Sequence, residues 1–170
     1  LSGIEDEIQN LSAVLPFERL AQIINLWYGG ICRQVTNFPP DIRIEKWLYN
    51  DYPELRKYQL LSIRMQQQEA LSGFSAEAQD ISPPTFINLS NIMNYAFFRI
   101  LGLHFGTNFV KPFANMKFLE KGKKLASLTQ EGYIDSHEGD IEMVNKWGEF
   151  LGVSNWFQWS SFEDDSSCIA

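Results

Sequence analysis

Two histidines, two cysteines and a scatter of carboxylates are the side chains of this sequence best suited to reactive chemistry. A zinc site needs three or four nitrogen, sulfur or oxygen ligands that converge. His104 and His137 fall on different predicted elements, and Cys32 and Cys168 lie far apart in the chain. His137-Glu138 begins like a zinc-peptidase helix, but Gly139-Asp140-Ile141 follows and no second histidine stands at the required spacing. The expectation is therefore no metal site and no cofactor within the chain. His137 reads as an exposed loop residue, and His104 as a complement to a helix C-terminus. Cys32 reads as a buried core thiol and Cys168 as a free one, which fits a reducing, cytoplasmic setting. The sequence carries no phosphate-binding glycine loop, no Gly-x-Ser-x-Gly nucleophile turn and no Cys-x-x-Cys pair.

Among the carboxylates, Glu45 stands out, set between Ile44 and Trp47 on a short predicted helix that follows Pro39-Pro40. The ordinary reading points Glu45 to solvent and Ile44, Trp47 and Leu48 to the core, with Arg64 or Arg99 as an ionic partner. In an alternative reading the chain is the helical portion of a hydrolase, such as a metallopeptidase. Glu45 would then complete a site whose histidine ligands lie outside this chain. Asp41, Glu54, Asp135 and Asp140 read as caps or first-turn charges. Asn88, Asn91 and Asn94 fall within seven residues, beside Ser90. Their helical spacing reads as a solvent face, with a polar pocket or a helix–helix contact as the alternatives.

The densest feature is aromatic. Trp147, Phe150, Trp156, Phe157, Trp159 and Phe162 fall within sixteen residues. Such rings are core material or, where exposed, interface material. Charge is uneven along the same stretch. Residues 1–130 hold 13 basic and 12 acidic side chains, whereas residues 131–170 hold Lys146 against nine acids. Just upstream, Lys111, Lys117, Lys121, Lys123 and Lys124 stand with one acid, Glu120. The leading functional expectation is a non-enzymatic interaction or regulatory module. It would bind a protein partner, or another domain of a longer chain, through Trp147, Trp156, Trp159 and Phe162 with Lys117, Lys121, Lys123 and Lys124. A weaker expectation is a carrier of an apolar small ligand. The net charge of −7 argues against nucleic acid.

These residues have to be positioned by helices. Ile4, Ile8, Leu11 and Leu15 recur at four, three and four residues, and Leu20, Ile23, Ile24, Trp27, Ile31 and Val35 continue that period after Pro16. The prolines at 39 and 40 predict a stop, and Gly29-Gly30 a kink or a close helix contact. A helix is predicted over Pro53–Gly73, then a linker over 74–82. Ser82-Pro83-Pro84 predicts a hydroxyl cap and a helix to about His104. Val110–Gln130 reads as mixed, divided at Gly122, and Asp140–Leu151 as a helix closed by Gly152. Strand alternation and hairpin turns are lacking, and no apolar run is long enough to cross a membrane.

With 170 residues, 45% hydrophobic and 21% charged, the chain can bury a full core without disulfide or metal. The expected architecture is all-α, a single-domain bundle-like array of six to eight helices over residues 1–162, with a mobile acidic tail over 163–170. Phe17–Val35 and Pro83–His104 are expected at its buried centre.

Overall fold

The computed structural model describes residues 4–13, 15–73, 75, 82–114 and 116–160. The expected tail over 163–170, with its boundary, Phe162 and Cys168, lies outside the described residues. The fold is all-α. Six α-helices are present among the described residues: α1 (Glu5–Ser12), α2 (Phe17–Asp51), α3 (Arg56–Ser72), α4 (Pro84–Phe105), α5 (Leu119–Glu131) and α6 (His137–Leu151). Short 3-10 turns occur at Pro53–Leu55, Lys111–Phe113 and Ser154–Trp156.

Helix α4 is the buried axis of the bundle. It packs against α2, α3 and α5, while α6 lies against α2 and α5. Fourteen residues of α4 are buried, from Phe86 to Phe105, so apolar side chains cover nearly its whole circumference. Its first turn is capped from a distance. The Glu7 carboxylate of α1 accepts from the Thr85 backbone N–H at 3.0 Å and from its hydroxyl at 2.7 Å. The hydroxyl cap expected from Ser82 is thus replaced by a charge, which also complements the positive end of the helix dipole. At the other end Gly106 takes φ +66° and its N–H bonds to the Gly102 carbonyl.

The stop expected at Pro39-Pro40 does not occur: α2 runs unbroken through both prolines. A proline inside a helix removes one hydrogen bond and crowds the preceding turn, at about 3 kcal/mol or more. Packing offsets that cost. Ile31, Val35, Pro39 and Ile42 form one buried stripe at four, four and three residues. Phe38 stacks on Phe97 with centroids 4.6 Å apart and meets Trp147 edge-on at 6.3 Å. Fully burying a Val, Ile or Phe side chain contributes about 1.5–3 kcal/mol. Ending the helix at Asn37 would break the register that buries Ile42 and sets Phe38 on Phe97.

The amino-terminal half of α2 is not central. Phe17 is 83% exposed and Leu26 66%, so α2 flanks the core that α4 builds. Gly29 and Gly30 mark neither a kink-forming break in the helix nor a close contact, because an added Cβ at either would meet nothing within 4 Å. Gly122 serves close packing instead. It leaves α5 undivided, and a Cβ there would come within 2.6 Å of the Tyr95 ring.

Helix α6 begins at His137, three residues earlier than the pattern predicts, because Ser136 caps it by accepting from the Gly139 N–H at 3.0 Å. Gly152 ends it at φ +74°. The first-turn Asp140 is no surface cap: it is buried. Its carboxylate accepts from Arg43 Nε at 3.1 and 3.0 Å and from Nη2 at 2.7 Å, and from the Tyr133 hydroxyl at 3.3 Å. Burial and the Asp140 charge push the Tyr133 phenol well above its ordinary range.

Candidate functional site

Continuity of α2 across its prolines creates a cleft. Helix α3 returns antiparallel along α2, so that Gln59 meets Glu45 near the turn while Gln66 and Glu69 come opposite Gly30 and Arg33. Between α2, α3 and α4 lies a cavity of about 560 Å³. Its apolar lining is Leu26, Trp27, Ile31, Phe38, Phe86, Ile87 and Phe98. Its polar lining includes Gln34, Asn37, Ser90, Asn91 and Asn94, and the exposed residues Arg33, Asp41 and Glu69 add charge. Gly30 belongs to the same wall, where the missing side chain leaves room.

One polar atom of this cleft, Gln34 Oε1, is buried and unmet. Asn91 is 5% exposed and Asn94 6%. Asn94 Nδ2 reaches Ser90 Oγ at 3.4 Å, a long bond, and the Asn91 amide bonds to no described side chain or backbone group. Gln34 Oε1 is buried without a hydrogen-bond partner. Buried polar atoms are nearly always paired, and an unmet one costs about 1–3 kcal/mol. Desolvation raises the Asp41 carboxyl above its ordinary value. An amide presents a donor and an acceptor in one plane. Gln34, Asn91 and Asn94 therefore add neutral amide donors and acceptors to a lining that also holds the rings of Trp27, Phe38, Phe86 and Phe98.

Glu45 lies elsewhere. Its neighbours reverse the expected orientation: Ile44 is 41% exposed and Trp47 49%, while Glu45 is half-buried. Its partner is neither Arg64 nor Arg99. Gln59 Nε2 donates to Glu45 Oε2 at 2.6 Å and to the Glu45 backbone carbonyl at 3.1 Å. Burial raises the Glu45 carboxyl, the Gln59 bond opposes that shift, and the Asp41 charge adds to it. No group of three His, Cys, Asp or Glu side chains able to hold a metal exists among the described residues. His137 is exposed at the start of α6. His104 Nε2 lies 3.1 Å from Asn50 Oδ1. Desolvation and the Lys46 charge lower its imidazole, so the neutral ring is favoured, against the cationic role that a helix C-terminus suggests.

The aromatic carboxy-terminal cluster divides. Trp147 is 0% exposed, and its Nε1–H donates to Thr129 Oγ1 at 2.8 Å. Trp156 is buried between Tyr28 and Phe86, each with its ring centroid 5.6 Å away. Its backbone carbonyl accepts from the Tyr28 hydroxyl and from the half-buried Cys32 thiol. Neither tryptophan presents its ring to a partner: both close the core. Trp159 is 52% exposed and donates to Asn145 Oδ1 at 2.9 Å. Lys117, Lys121 and Lys124 are exposed, whereas Lys123 is paired with Glu120 at 2.8 Å. The expected contact surface is reduced to Trp159 and these lysines.

The asparagines on α4 were visible in the sequence as a possible pocket, but Gln34 and Gly30 were not. Their signal was the stripe Ile31, Val35, Pro39 and Ile42, whose helical period passes through the prolines and carries Gly30 and Gln34 on the neighbouring face. No helix among the described residues is long and apolar enough to cross a membrane. Compared with protein-family models, curated proteins and solved structures, the chain matches none.

Proposed function

We propose that this chain is a helical binding domain whose α2–α3–α4 cleft takes a small neutral molecule with a planar apolar body and an amide-like polar edge. The supporting observation is the buried Gln34 Oε1 without a partner, together with Asn91 and Asn94 in the lining of a 560 Å³ cleft. Small-molecule sites commonly span about 300–1,000 Å³, with apolar walls and a few placed polar groups. A purely apolar passenger would leave the amides unmet, so the ligand class is narrower than an apolar cargo. A neutral heteroaromatic ring with adjacent donor and acceptor atoms satisfies both parts.

Saturation-transfer NMR on the purified chain tests this with two probe sets of equal size, neutral heteroaromatic amides and saturated hydrocarbons. Members of the first set bind and quench Trp27 fluorescence. Gln34→Met and Gly30→Leu, which respectively remove the acceptor and fill the wall, lose that binding while the fold holds. Equal binding of the hydrocarbons, or heteroaromatic binding unchanged in both variants, refutes the reading.

A further inference from the structure

Helix α3 has two apolar faces, and the bundle uses one. Gln59 and Ile63 are buried toward α2 and α4, with Gln67 and Ala70 on the same side; Gln67 Nε2 donates to the Phe109 carbonyl. On the opposite side Tyr58, Leu61 and Met65 recur at three and four residues and are 67%, 58% and 61% exposed. Leaving three large side chains in water on one stripe forgoes burial that the same helix achieves on its other face.

The flank of this stripe is basic. Lys57 and Arg64 precede Tyr58 and Met65 by one residue and are seven apart, so both lie along the same edge. Both are exposed, and neither pairs with a carboxylate among the described residues. The only other cation of α3, Arg56, is committed: its guanidinium lies 4.6 Å from the Tyr49 ring centroid and donates to the Tyr49 carbonyl at 2.7 Å. In a two-helix seam, residues at three-and-four spacing form the apolar contact and the flanking positions choose the partner by charge. Tyr58, Leu61 and Met65 occupy the first role, and Lys57 and Arg64 the second.

We infer that the outer face of α3 docks an acidic amphipathic helix of a different protein. The partner supplies apolar residues at three-and-four spacing and places Glu or Asp opposite Lys57 and Arg64. The choice of an acidic partner rests on the local edge: Lys57 and Arg64, exposed and unpaired with carboxylates among the described residues, complement acidic side chains placed beside the apolar stripe. The inference is independent of the cleft, which Tyr58, Leu61 and Met65 do not line.

Fluorescence anisotropy on the full chain tests it with two labelled 21-residue helical peptides. Both carry Leu at the seam positions; one has Glu at the flanks and the other Lys. The Glu peptide binds at least tenfold more tightly than the Lys peptide, and the gap narrows as salt rises. Leu61→Glu weakens the Glu peptide at least tenfold with the melting temperature unchanged, since Leu61 is exposed. The double variant Lys57→Glu with Arg64→Glu inverts the preference. Equal binding of both peptides, binding of neither, or a preference that survives the double variant overturns the inference. So does light scattering that finds a dimer dissolved by Leu61→Glu, which would assign the face to a second copy.

Discussion

Two glutamines in this fold share one defect and should answer the same substitution in opposite ways. Gln34 Oε1 and Gln59 Oε1 are both buried without a hydrogen-bond partner. Gln34 makes no other side-chain bond among the described residues, whereas Gln59 Nε2 donates twice to Glu45, at 2.6 and 3.1 Å. Methionine has nearly the shape of glutamine and a similar helix propensity. Gln34→Met therefore removes an unmet acceptor and little else. Such an acceptor costs about 1–3 kcal/mol, and a half-buried side chain belongs at the lower end. A gain of about 1 kcal/mol moves the melting midpoint of a domain this long up by about 2–4 °C. Gln59→Met gains a similar amount from its own acceptor, but it strips a half-buried carboxylate of a donor. A hydrogen bond to a charged group contributes about 1.5–3 kcal/mol, so the net change is a loss of about 1 kcal/mol. Thermal unfolding by circular dichroism and urea midpoints at pH 7 read both variants. If Gln34→Met melts at or below the unsubstituted chain, its carbonyl is already satisfied. The cleft then has no unmet polar group for a ligand to answer.

The tryptophans separate cleanly. Trp147→Ala costs about 3–5 kcal/mol through the cavity it leaves, whereas Trp159→Ala, at an exposed position, stays within about 0.5 kcal/mol in chemical denaturation. Equal losses would contradict the division of the aromatic cluster. Glu7→Ala uncaps α4 and costs about 0.5–2 kcal/mol, and a double cycle with Thr85→Val reads the coupling between α1 and α4. Asp41 gives a pH signature. Its folded carboxyl is raised by desolvation, so its protonated form favours the fold. Relative to Asp41→Asn, the unsubstituted chain is most stable below about pH 4 and loses that advantage as pH rises through the raised value. Urea midpoints of both proteins across pH 3–7 check the slope, and a difference that grows with pH contradicts it.

Local chemistry suffices for the helical class and for most helix ends. Three-and-four spacing, Pro16, Gly106 and Gly152 act within a few residues, where period and backbone freedom decide. The sequence also placed α4 at the buried centre, but together with Phe17–Val35, whose exposed Phe17 and Leu26 show that this half of α2 flanks the core. Elsewhere, contacts between groups distant in sequence override local preference. Pro39-Pro40 is a stop by local chemistry, yet burial of Val35 and Ile42 and the stacking of Phe38 on Phe97 carry α2 through it. The Ser82 cap gave way to a carboxylate 78 residues distant in sequence. Ile44 and Glu45 exchanged their expected sides, because Gln59 of the returning helix supplies a donor where an apolar wall was expected. The aromatic density near the end of the chain could not announce its own division. Rings of identical type become core at Trp147 and Trp156 and surface at Trp159 according to which helices stand opposite. The candidate cleft belongs to the same class of fact. Gln34 on α2 and Asn91 and Asn94 on α4 are ordinary polar residues until the packing of those two helices brings them into one cleft lining.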